Sequence, residues 1–113
     1  MEQHAWIKNF PGAVTVCDRE GIVLEMNDKA IGTFENEGSA SLIGTNLFDC
    51  HSPASQVKLR QMIASEQPNI YTIEKNGVKK LIYQAPWYAD GVFSGLVELS
   101  LEIPFEMPHF VRE

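Results

Sequence analysis

The sequence has only two cysteines, Cys17 and Cys50, in 113 residues. In a reducing compartment two thiols are more often free than bridged, so we expect both to be free. No apolar run approaches the ~20 residues that a helix needs to span a bilayer. The N-terminal stretch from Met1 to Trp6 lacks the basic and apolar regions of a signal peptide, and we expect a cytoplasmic protein.

Basic charge is also scarce, because nine Lys and Arg residues stand against fifteen Asp and Glu, a net charge of −6. The longest basic run is Lys79-Lys80. Nucleic acids and anionic lipids are bound mainly by basic surfaces, so we expect neither a nucleic acid nor a membrane as a partner.

Motifs of catalysis are missing as well. The sequence has no G-x-S-x-G elbow, no phosphate-binding glycine loop and no H-E-x-x-H helix. Cys50 and His51 are neighbours in the chain, and adjacent side chains usually diverge rather than form a nucleophile and its base. We therefore expect no enzymatic activity.

The sequence is 44% hydrophobic and 21% charged, a composition typical of a single globular domain. A chain of this length can bury enough apolar surface to fold without a metal, a disulfide or a cofactor. Trp6, Ile7 and Phe10 have helical spacing and are followed by Pro11-Gly12, which predicts a short N-terminal helical segment.

Alternating and β-branched residues predict a hairpin of 13–18 and 22–27 around Arg19-Glu20-Gly21. Short helical pieces follow, and Ser52-Pro53 begins a clearer helix. Three more strands are then linked by turns at Asn76-Gly77 and Asp90-Gly91. Strands grouped apart from helices predict an α+β domain, with one five-stranded antiparallel sheet and the helices on one face.

Three segments resemble a PAS domain, the small sensory module of bacterial signalling proteins. They are the strand–turn–strand of 10–27, the Leu42-Ile43-Gly44-Thr45-Asn46-Leu47-Phe48 segment, and the turn and strand of 90–98. The resemblance implies the strand order 2-1-5-4-3, a pocket between sheet and helices, and frequent dimerisation. Together with the pattern of strands and turns, it leads us to expect an N-terminal helical segment (1–12), a PAS-like domain (13–103) and a C-terminal tail (104–113).

A ligand pocket is predicted between the long helix and the central strands, where short, glycine-broken segments pack less closely than one long helix. Strand alternation alone does not decide which face of the sheet lines this pocket. The candidate lining residues are Phe34, Leu47, Phe48, Cys50, His51, Leu59, Met62, Ile63, Tyr83, Val97 and Leu99.

Cys50-His51 allows two interpretations. A thiolate and an imidazole could be ligands of haem or another metal centre, which would make the chain a redox or metal sensor. Alternatively, Cys50 packs as a small apolar residue and His51 forms a hydrogen bond near the helix start. The light-sensing PAS branch holds its flavin-reactive cysteine in an Asn-Cys-Arg-type segment that Asp49 and His51 do not reproduce, so we expect no flavin.

The N-terminal stripe of Trp6, Ile7 and Phe10 is too short to be a stable helix alone and must pack on something. We expect a homodimer formed by this stripe and the sheet face opposite the helices. The overall expectation is a non-catalytic sensory module that binds a small ligand, a protein partner or both in bacterial signal transduction. The alternatives are a ligand-free dimerisation or protein-interaction module and the Cys50-His51 sensor.

Overall fold

The computed structural model describes residues 5–35, 43–50 and 52–113, without the side chains of Phe34, Glu35 and Cys50. The predicted site residue His51 lies outside these ranges. In chain order the elements are α1 (Ala5–Lys8), β1 (Ala13–Asp18), β2 (Val23–Met26), α2 (Asp28–Glu35), α3 (Leu47–Cys50), α4 (Pro53–Ser65), β3 (Asn69–Lys75), β4 (Val78–Ala89) and β5 (Val92–Ile103).

The five strands form one antiparallel sheet in the order β2-β1-β5-β4-β3, which confirms the predicted fold class and strand order. Local turn chemistry explains the hairpins. Asn76 and Gly77 have positive φ angles of 53° and 77°, as a type I′ turn requires at both central positions. At the first hairpin the Asp18 carboxylate accepts hydrogen bonds from the backbone N–H groups of Glu20 and Ile22.

Helix α4 begins where the sequence predicts. The Ser52 hydroxyl accepts from the Ser55 N–H at 3.3 Å, and Pro53 occupies the first turn, where its missing N–H costs nothing. At the other end Glu66 adopts a left-handed conformation and its N–H donates to the Met62 carbonyl. This left-handed cap ends the helix before Pro68.

The two faces of the sheet have different environments. Cys17 and Leu96 are paired across β1 and β5, and both pack against Leu59 and Met62 of α4. We call the face that carries Cys17 and Leu96 the inner face, and the opposite one the outer face. Because side chains alternate along a strand, Val97 and its alternate neighbours in β5 lie on the outer face.

A buried asparagine joins three elements at the edge of the sheet. The side-chain oxygen of Asn27 accepts from the N–H groups of Val14 (2.9 Å) and Ala30 (3.1 Å). Its side-chain nitrogen donates to the carbonyls of Ile7 (3.0 Å) and Gly12 (2.8 Å). One side chain therefore connects α1, β1 and the first turn of α2.

Within the described ranges, no helix is long and apolar enough to cross a membrane.

Candidate functional site

A row of four polar side chains crosses the inner face from β1 to β3. The strand register places Thr15 opposite Glu98, Glu98 opposite Gln84, and Gln84 opposite Asn69. Paired residues lie on the same face of a sheet, and Glu98 is two residues from Leu96, so this polar row lies beside the apolar core. All four side chains are half-buried.

Hydrogen bonds connect three members of the polar row in one direction. The Asn69 Nδ2 donates to Gln84 Oε1 at 2.9 Å, and the Gln84 Nε2 donates to Glu98 Oε1 at 2.7 Å. Since the Gln84 oxygen is engaged by Asn69, its amide is held with the nitrogen toward the carboxylate. The chain of hydrogen bonds therefore ends on a charged acceptor, Glu98, and an ionised carboxylate can accept about four hydrogen bonds.

The negative charge of Glu98 also affects the pKa of a neighbouring side chain on the inner face. Burial raises the pKa of Tyr71, the negative charge of Glu98 raises it further, and a hydrogen bond with Gln84 opposes the shift. Tyr71 is paired with Ile82, in the row of side chains next to Gln84. This part of the inner face therefore disfavours additional negative charge.

Apolar side chains border the polar row on the α4 side. Their centre is the buried set of Cys17, Leu59, Met62 and Leu96, with Leu47, Phe48 and Ile63 packed around it. Met62 also lines a groove of about 500 Å³ whose other lining residues belong to α4 and to positions 67–68, not to the sheet. The inner face thus combines an apolar wall with a few fixed polar groups, as small-molecule sites commonly do.

Solved structures share this architecture. The chain is 17% identical to the Aer2 receptor of Vibrio cholerae, described as a dual PAS-haem oxygen sensor, with a TM-score of 0.64 over 82% of this chain and 95% of that chain. It is 20% identical to the PAS domain of BvgS from Bordetella pertussis, with a TM-score of 0.60 over 88% of this chain and 82% of that chain. The chain has the PAS fold. No protein-family model and no curated protein matches the chain.

The PAS fold brings five of the predicted pocket residues together. Leu47, Phe48 and Ile63 pack around the inner-face core, to which Leu59 and Met62 belong. The Arg60 guanidinium also lies 4.8 Å from the centre of the Phe48 ring. The side chains of the predicted residues Phe34 and Cys50 lie outside the described part of the chain, as does the whole of His51.

Three other predicted pocket residues do not join this group. Tyr83 is paired with Leu99, and Val97 follows the inner-face residue Leu96 directly, so all three lie on the outer face. Alternation along β4 and β5 defines two faces but does not say which one the helices cover. In the structure, the helix-covered face is the one that carries Cys17 and Leu96, which are paired beneath α4.

The polar row itself was not among the predicted site residues. In the β5 sequence Glu98 alternates with apolar residues, together with Ser100 and Glu102, and such a polar set ordinarily lies on the solvent face of a half-buried sheet. One available signal was Gln84, a polar residue on the same face as Ile82 in the neighbouring strand. Two adjacent strands with polar residues on the helix-covered face would have indicated a hydrogen-bonded row.

We expect the stability of the protein to depend on the Cys17 thiol at alkaline pH. Burial is the main reason why the pKa of Cys17 is raised, with contributions from the charges of Asp18 and Glu98, while a backbone hydrogen bond with Leu96 opposes them. The unfolded thiol ionises first, near its ordinary pKa of ~8.5, so folding free energy is lost as the pH rises through and above that value.

The measurement is chemical denaturation of the wild type and Cys17→Ala, under reducing conditions, at about pH 7 and about pH 10. The wild type should lose about 1 kcal/mol more than Cys17→Ala over this interval. Both proteins contain the same tyrosines and lysines, so the contribution of these residues to the pH dependence cancels in the comparison. Equal losses in the two proteins would contradict a raised Cys17 pKa.

Metal ligation has no geometric support in the described ranges, where no three His, Cys, Asp or Glu side chains come together in a way that could hold an ion. This observation does not cover the side chains of Cys50 and His51, which the metal or haem hypothesis concerns.

Proposed function

We propose that this chain is a non-catalytic sensory domain that binds a small ligand on its inner face and signals to a protein partner in the bacterial cytoplasm. The observation that carries the proposal is the polar row of Thr15, Glu98, Gln84 and Asn69, with its hydrogen bonds of 2.9 and 2.7 Å, beside the apolar core. Fixed polar groups next to an apolar wall orient a ligand and discriminate between ligands.

Solved structures with this fold support a sensory role. They include an oxygen sensor, a sensory-box sensor histidine kinase from Vibrio cholerae and the PAS domain of the histidine kinase ThkA. Because these proteins are no more than 17% identical to this chain, the ligand of any one of them is not transferred to it. The residues of the polar row are the better guide to ligand chemistry.

Native mass spectrometry of freshly purified protein, together with an absorption spectrum, tests the proposal. We expect an organic compound that leaves the protein on denaturation. A dimer that carries no added mass, even after incubation with a metabolite extract, would contradict ligand binding and favour the interaction module. A Soret or charge-transfer band would instead favour the Cys50-His51 sensor.

The outer face is the proposed surface for homodimerisation. It pairs Tyr83 with Leu99 and Ile70 with Tyr83, and Ile70 and Tyr83 remain 51% and 40% exposed. Phe10 and Leu101 both lie beside Gly12, so the segment after α1 borders the same face. A second copy could cover these apolar side chains through a two-fold axis, because each copy presents the same surface.

Replacing Ile70 with lysine should convert the dimer to a monomer, because the charge would have to be buried in the interface. Sedimentation velocity at tens of micromolar would measure the change. Val57→Lys is the matched control, since Val57 is 52% exposed but lies on α4, away from the outer face. A wild-type monomer, or a dimer of Ile70→Lys as stable as that of Val57→Lys, would contradict the proposed interface.

A further inference from the structure

We infer that the ligand of the inner face is an organic cation, such as an ammonium or amidinium compound, that pairs with Glu98. This inference rests on the proposed function and adds the chemical class of the ligand. The hydrogen bonds of the polar row end on the Glu98 carboxylate, and the Gln84 amide holds that carboxylate in place. A ligand that binds beside the row must therefore satisfy a negatively charged acceptor.

The hydrogen-bonding capacity of Glu98 favours a cationic ligand. Its carboxylate is half-buried and, from the residues that the structure describes, accepts one short hydrogen bond, through Oε1, from a neutral amide. That bond leaves the other oxygen to a further donor, and a carboxylate drawn partly out of water is stabilised most by a charged one.

The direction of the hydrogen bonds in the polar row is fixed. The Gln84 amide cannot turn its oxygen toward Glu98 without losing the bond from Asn69 and placing two acceptors together. Asn69 and Gln84 are therefore positioning residues, and Glu98 is the residue that contacts the ligand. The preorganised acceptor lowers the entropy lost on binding.

The surroundings of Glu98 also favour a cation of organic rather than inorganic type. Tyr71 offers an aromatic ring on the same face, and Leu96 begins the apolar core on the other side of the row. A divalent metal ion requires several oxygen ligands, whereas the row holds one carboxylate. The net charge of −6 adds a long-range attraction for any cation.

A fragment screen by NMR tests this inference. The probes are equal numbers of cationic, neutral and anionic aromatic fragments of matched size, including benzamidine and its neutral counterpart benzamide. The readout is the set of backbone signals of Thr15, Gln84 and Glu98. We expect cationic fragments to dominate the hits at this row and benzamidine to bind at least about tenfold more tightly than benzamide, as a charge-assisted hydrogen bond implies.

Glu98→Gln should abolish that preference, because it removes the charge and keeps the shape of the side chain. Glu102→Gln is the matched control, since Glu102 has the same charge in the same strand but is exposed and pairs with Lys80 instead of Gln84. Benzamidine should bind Glu102→Gln and the wild type equally.

The outcomes separate this inference from the proposed function. Hits at the row that are mainly neutral or anionic, or a benzamidine affinity unchanged in Glu98→Gln, would overturn the cationic class and leave ligand binding intact. No hit of any class at the row would overturn both.

Discussion

Gly95→Ala is expected to lower the free energy of unfolding by about 4 kcal/mol or to prevent folding. A methyl group at this position would overlap the Cys17 carbonyl oxygen and lie 2.8 Å from the Asp18 Cα. Gly95 also has a φ angle of +150°, which L-residues rarely adopt. Because β5 is paired with β1 on one side and β4 on the other, its backbone cannot move away without breaking hydrogen bonds.

Gly32→Ala is the control for the Gly95 prediction. Gly32 lies inside α2, and within the described part of the chain no neighbouring group comes within 4 Å of where its Cβ would stand. Alanine is a better helix former than glycine, so this variant should be more stable than the wild type by up to about 1 kcal/mol. Urea denaturation followed by circular dichroism measures both. A Gly95→Ala protein within about 1 kcal/mol of the wild type would contradict the close approach of β5 to β1.

Asn27→Ala should be destabilised by about 3 kcal/mol, the second largest effect that we expect. The substitution removes four hydrogen bonds, to Val14, Ala30, Ile7 and Gly12. Asn27 is only 6% exposed. Water therefore cannot readily form hydrogen bonds with the backbone groups that lose their partner in the variant. Urea denaturation measures the loss, and hydrogen exchange at the Val14 and Ala30 amides should accelerate.

Asn9→Ala provides the matched control for Asn27. The Asn9 side chain is exposed, and its one hydrogen bond to a described residue goes to the Ala5 carbonyl at 3.1 Å. Its removal should change the free energy of unfolding by less than about 0.5 kcal/mol. If both alanine variants had the same stability, Asn27 would not be the connection between α1, β1 and α2.

The strands and the turns between them could be predicted because their signals are local. Alternation in β5 is visible within twelve residues, and a dipeptide such as Asn76-Gly77 determines a tight turn through its own φ angles. Ser52-Pro53 likewise marks the start of α4 without reference to the rest of the chain. The resemblance to PAS domains then supplied the strand order, which local patterns do not contain.

The candidate site could be predicted only in part because it depends on contacts between distant segments. Leu59 and Met62 were recognisable from helical spacing alone. Packing between β5 and α4 determines that Leu96, and not Val97, points toward the helices. The sequence alternation of β5 is the same whichever face the helices cover, so it does not contain this information. Glu98 and Asn69 meet Gln84 only through the register of three strands, which no single strand encodes.

The position of a bound ligand is the most direct test of ligand binding on the inner face. The side-chain amide groups of Gln84 and Asn69 give their own signals in a nitrogen-15 NMR spectrum, and both groups belong to the polar row. On addition of the compound that co-purifies with the protein, or of the tightest fragment, these signals should shift while the Tyr83 ring and Leu99 methyl signals stay in place. Shifts of Tyr83 and Leu99 with unchanged Gln84 and Asn69 signals would place the ligand on the outer face and contradict the proposed site.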